Sequence, residues 1–181
     1  NQSELEIMIN KIKKFKINIL KNNYYSWPKD PLLPGTFLTK NFHKIDKDLF
    51  NEEFNKNIIP TILITQESIN FFRSLKNGKI ITVLSSFLDS PTVGSSIYVS
   101  NKNYLKGLCK VWSIENQKFN ITSHYISPNF MLSNHTSKMD KRLVDNFIKN
   151  SESKESINTD YIAKKITDFI YSNEKSIEIK F

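Results

Sequence analysis

The sequence predicts an α/β fold, a parallel sheet flanked by helices in three layers. Two observations carry this prediction. Short apolar, β-branched runs recur at 17–20, 79–86 and 120–128, and the long segments between them have helical rather than alternating character. The stretch from Lys79 to Pro128 shows the unit most fully, as strand, serine pair, short loop, long helix, strand and then Ser-Pro.

In chain order, FKINILKNNYY (15–25) begins as a charged helix end, gives an apolar strand at Ile17 to Leu20 and closes on Asn22 and Asn23. Ser26 to Asp46 carries Pro28, Pro31, Pro34 and Gly35 and reads as a loop over one end of the sheet, since proline fixes φ and removes a backbone donor. FNEEFNKNIIPTILITQESINFFRSL (50–75) reads as one long helix, and KIITVLSS (79–86) as a strand. A loop follows, then a helix from about Tyr98 to Gln117, and NITSHYISP (120–128) is strand again. NSESKESIN (150–158) reads as a polar loop. The run TDYIAKKITDFIYS places Ile162, Ile166, Phe169 and Ile170 on one helical face, and SIEIKF forms a last strand.

A chain of 181 residues with ordinary apolar content is enough for one domain, 1–181, with a real core. Its net charge of +8 comes from lysines spread along the chain, and no aromatic RNA-binding motif or recognition helix accompanies them. Nucleic acid is therefore not an expected partner. No apolar run approaches membrane-spanning length and no signal peptide is visible. The single cysteine, Cys109, allows no internal disulfide and fits a reducing cytoplasm, as a small buried apolar residue. His43, His124 and His135 lack ligand spacing, so no metal is expected.

Tyr98 and Lys102 lie four apart on the long helix, so their side chains share a face and the ammonium can favour the phenolate. A tyrosine so activated is a general acid or base at neutral pH. Tyr-x-x-x-Lys also occurs at Tyr25/Lys29, Tyr161/Lys165 and Tyr171/Lys175. The first encloses Pro28, the second has no serine-tipped strand before it, and the third runs off a helix end. Only Tyr98 has the full context. Ser86, twelve residues upstream, emerges where its strand ends, and open α/β sheets collect ligands at the carboxyl ends of their strands.

These residues resemble the catalytic half of the short-chain dehydrogenase/reductase family, particularly its 3-oxoacyl-carrier-protein-reductase-like members. The resemblance implies a partial doubly wound, Rossmann-like sheet and NAD or NADP as cofactor. It implies that Tyr98 gives a proton to a small-molecule or carrier-bound carbonyl, that Lys102 supports the phenolate and binds ribose hydroxyls, and that Ser86 orients the carbonyl. Asn57 matches the family's asparagine that holds a relay water, although an asparagine-rich chain also places this residue type on helix surfaces. Asn22 and Asn23 match the start of the family's Asn-Asn-Ala-Gly, with Tyr24 and Tyr25 in place of Ala and Gly. Pro128 and Ser133 match its Pro-Gly-x-x-x-Thr cofactor segment, with Asn129 for glycine. Helices 48–75 and 95–117 correspond to a common four-helix interface, implying a homo- or hetero-oligomer.

The family's Gly-x-x-x-Gly-x-Gly turn has no counterpart among Gly35, Gly78, Gly94 and Gly107. SELEIMINKIKKF resembles the helix before the family's fourth strand. The expectation is a reductase domain lacking its first three strands, and the alternative is a noncatalytic subunit that pairs with a complete partner.

Overall fold

The computed structural model describes residues 2–14, 16–26, 40–132, 144–145, 148–149 and 157–179. Helix α1 spans Gln2–Lys14 and leads to strand β1, Ile19–Asn22. Helices α2 (Lys47–Asn57) and α3 (Ile59–Leu75) precede β2, Gly78–Val83. Helix α4 (Ser96–Asn116) precedes β3, Ile121–Ile126. Short β4 (Met131–Leu132), β5 (Ile157–Asn158), α5 (Thr159–Tyr171) and β6 (Glu178–Ile179) complete the described chain. The main sheet has the order β1-β2-β3-β6, all parallel, and β4 pairs with β5 separately.

Both faces of β2 and β3 are buried, as a central parallel strand requires. Ile80, Leu84, Ile121 and Tyr125 pack with Ile69, Phe72, Leu105 and Trp112 of α3 and α4. Ile81, Val83 and Ile126 pack with Ile162, Ile166 and Phe169 of α5. The three layers are thus α3 and α4, the sheet, and α5. Gly78 is tied to its place by this packing, because a Cβ there would fall 2.4–2.8 Å from the Phe72 side chain.

Three expectations shift in the structure. The single helix foreseen over 50–75 is two, joined at Ile58, with Pro60 in the first turn of α3. Proline has no N–H for the helical ladder but is tolerated in a first turn, so the chain restarts there. The first strand lies two residues later than Ile17 to Leu20. Ile157 and Asn158 belong to a strand rather than the polar loop, and Asn158 caps α5 by accepting from the Asp160 N–H at 2.8 Å.

Candidate active site

The site lies beyond the carboxyl ends of β1, β2 and β3. Helix α4 buries Asn101, Lys102, Leu105, Cys109, Trp112 and Asn116 along one stripe, and the helical period carries that stripe back to Tyr98 at its first turn. Lys102 is 5% exposed, and its Nζ donates to the carbonyl of Val83, the last residue of β2, at 2.9 Å. Burial lowers its pKa to about 8. The ammonium also lies 6.0 Å from the centre of the Tyr98 ring and 5.1 Å from that of Tyr25.

Tyr98 is partly buried, and burial raises its pKa while a hydrogen bond with the Ser85 hydroxyl lowers it. Burial outweighs the hydrogen bond at the phenol, and the Lys102 ammonium beside the ring is itself dry and directed at a backbone carbonyl.

The serine at Tyr98 is Ser85, not the Ser86 expected from sequence. Ser85 is still extended (φ −165°, ψ 145°) and caps a 3-10 turn over Ser86–Leu88 by accepting from the Phe87 N–H. Ser86 has entered that turn, and its N–H donates to the Pro128 carbonyl at 3.0 Å. Strand β2 ends at Val83, three residues before the end of the 79–86 run, and extended backbone lasts only to Ser85, which decides the hydroxyl that faces the helix.

Asn57 is fully buried and its amide is committed: Oδ1 accepts from Ser26 N–H at 2.6 Å, while Nδ2 donates to the Ser26 and Glu53 carbonyls and to Glu53 Oε2. These bonds leave the amide no N–H for a water. Its visible work is to fasten the segment after β1 onto α2. Asn22 Nδ2 donates to Thr65 and Thr82 hydroxyls at 3.0 and 3.4 Å. Asn23 is exposed and Pro128 buried at the same end of the sheet. Ser133 lies outside the described residues.

Tyr25 was not anticipated as a site residue. Its ring meets that of Tyr98 edge-on, with centres 4.9 Å apart and planes at 84°, and Asn101 Nδ2 donates to its hydroxyl at 3.5 Å. Burial raises its pKa. A bulky residue in the place of a motif glycine, directly after a strand's carboxyl end, was the available signal. Of the other tyrosines in the Tyr-x-x-x-Lys pattern, Tyr161 and Tyr171 are exposed on α5. Cys109 is buried beside Thr82 and Ser123, and burial pushes its thiol up to about 11.

A parallel, helix-flanked sheet with tyrosine, serine and lysine gathered at the carboxyl ends of its strands is the layout of a Rossmann-like oxidoreductase. The chain belongs to the short chain dehydrogenase family, whose profile matches residues 34–143. Among solved structures it is similar to a tyrosine-to-phenylalanine variant of ElxO with NADPH bound, at a TM-score of 0.81 and 20% identity over 98% of this chain and 70% of that one. ElxO with NADP bound gives 0.79 and 19%, covering 97% and 71%. The 3-ketoacyl-(acyl-carrier-protein) reductase from Brucella melitensis, complexed with NADH, gives 0.77 and 17%, covering 96% and 68%. At these identities the likeness establishes the fold. No curated protein matches the chain significantly.

Proposed function

We propose that this chain carries the catalytic group of a nicotinamide-dependent carbonyl reductase, or of an alcohol dehydrogenase running the same step backwards. The observation that supports it is the buried Lys102 ammonium beside a Tyr98 that is hydrogen-bonded to Ser85, in a member of a dehydrogenase family. NAD or NADP as cofactor is supported by the NADPH, NADP and NADH bound to the similar structures.

The donor chemistry suits the nicotinamide-ribose end of such a cofactor, which reaches the Lys102 ammonium once the Tyr25 ring, 5.1 Å away, moves aside. Lys102 donates to one carbonyl among the described residues although an ammonium has three donors, and Asn22, Asn23 and Pro128 lie at the same sheet end. The pyrophosphate end has no glycine-rich turn within these 181 residues, so binding of the whole cofactor requires that turn from outside them. When bound, the nicotinamide supplies hydride. Tyr98 Oη holds the proton that a reduced carbonyl oxygen takes, Ser85 Oγ fixes that oxygen beside it, and Lys102, with a pKa near 8, can return a proton to the phenol near neutral pH. Asn57 holds the segment carrying Tyr25 through both ends of its amide.

Tyr98→Phe tests the reading in a complete or complemented enzyme. Carbonyl reduction, followed as NAD(P)H oxidation, should fall at least about a hundredfold with cofactor binding little changed. Retained turnover would make Tyr98 an ordinary packed tyrosine.

One observation favours a second reading, a noncatalytic subunit. Among the described residues no strand covers the outer edge of β1, and unpaired edge groups invite another chain. Leu63 on α3 and Tyr104, Val111 and Ile114 on α4 are exposed apolar side chains on the two helices expected to pair. Light scattering after size-exclusion chromatography should show an oligomer, and co-expression with a complete reductase distinguishes a self-pair from a mixed one.

A further inference from the structure

We propose that Tyr25 is a positioning residue for Lys102, one wall of a cage in which two aromatic faces and the Val83 carbonyl hold the ammonium. The proposal rests on the catalytic reading of Tyr98 and Lys102 and deepens it. Three contacts define the cage: Val83 O at 2.9 Å, the Tyr25 ring centre at 5.1 Å and the Tyr98 ring centre at 6.0 Å. The two rings meet edge-on, so each fixes the other's orientation. Tyr25 is held from behind by the Ser26 backbone, which Asn57 clasps on both its N–H and its carbonyl, and from the side by Asn101 on α4.

A cation over an aromatic face is attracted by the ring's negative centre, and this attraction grows as water is excluded. The ring therefore acts on Lys102 in two opposed ways. It stabilises the ammonium by its π-face and destabilises it by keeping water out, and burial lowers the pKa to about 8. The titratable groups around this point are Tyr98 on the lysine's own helix, Tyr25 from the segment after β1, and Glu53 on α2 behind Tyr25, while β2 offers the Val83 carbonyl. The amine thus keeps a proton that it can give up near neutral pH, at a fixed place beside the phenol.

The opposition makes the test specific. Competitive acetylation of the purified chain between about pH 6 and 11, read at Lys102 by mass spectrometry, gives that residue's own titration without cofactor or turnover. Tyr25→Phe keeps the π-face and should titrate like the parent. Tyr25→Leu keeps the site dry but removes the π-face, and should lower the midpoint by about one unit. Tyr25→Ala admits water and should raise the midpoint toward the usual lysine value. Identical titration in all four proteins overturns the proposal, as does a Phe variant that moves as far as Leu. Should the Ala variant lose its helical circular dichroism, the volume-keeping Phe and Leu pair decides alone. If Lys102 titrates as expected while Tyr98→Phe leaves reduction intact, the reductase reading fails and the cage stands.

Discussion

Strand β2 meets a lysine at each end, and the two are used in opposite ways. At its amino end Lys79 Nζ donates to the carbonyls of Phe169, Ile170 and Ser172 at 3.0, 2.9 and 3.1 Å, closing the carboxyl terminus of α5. Every donor of that ammonium has an acceptor, and the charge complements the helix dipole. At the carboxyl end Lys102 has one carbonyl and two rings, and is buried more deeply. A saturated lysine stabilises a fold; one given fewer acceptors than donors keeps capacity for a ligand or a proton.

Substituting each lysine separates the two roles. Lys102→Met should reduce carbonyl reduction by about a thousandfold in a complete enzyme, because it removes both the proton and the charge next to the phenol. Its melting temperature should hold or rise, since a buried ammonium leaves the core. Lys79→Met should do the reverse, costing about 2 kcal/mol in urea denaturation as three carbonyls lose a charged donor, with activity per folded molecule unchanged. An inactive but stable Lys79 variant would break the comparison.

A pH series sharpens it. Lys102 has a pKa of about 8 when folded against the usual 10.5, so between these values the unfolded chain holds the extra proton. Stability from this group therefore rises as pH climbs through that window, by about 2 kcal/mol or somewhat more. The urea midpoint of the parent chain should therefore rise relative to that of Lys102→Met from about pH 7.5 to about pH 10, eroding the variant's advantage, and the offset between them should stay flat below about pH 7.5. A difference that does not change with pH would place the lysine in water.

The smallest effect concerns the serine pair. Ser85→Ala should lower reduction roughly tenfold and shift the pH profile of the phenol upward, because it removes the hydrogen bond that lowers the Tyr98 pKa. Ser86→Ala should change either by less than about twofold, since its hydrogen bonds among the described residues are made by the backbone, the N–H to the Pro128 carbonyl and the carbonyl from the Asp89 N–H. Equal losses from both substitutions would return the choice of serine to open question.

The chain's alternation of apolar strands and periodic helices determined the α/β class, the parallel sheet, the face of α5 and the placing of Tyr98 and Lys102 on one helix. These are local matters of period and spacing, which a sequence states directly. Ser85 over Ser86, Asn57 as a clamp on Ser26, and Tyr25 as a wall of the lysine's cage were decided only by tertiary structure. Each depends on where a strand stops or which distant group a side chain meets, and residues 31 or 77 positions apart in sequence carry no mutual signal until the sheet brings β1, α2 and α4 to one end. Lys79 makes the same point: 90 residues separate it from Phe169, and only the packing of α5 on the sheet turns an ordinary lysine into a helix cap.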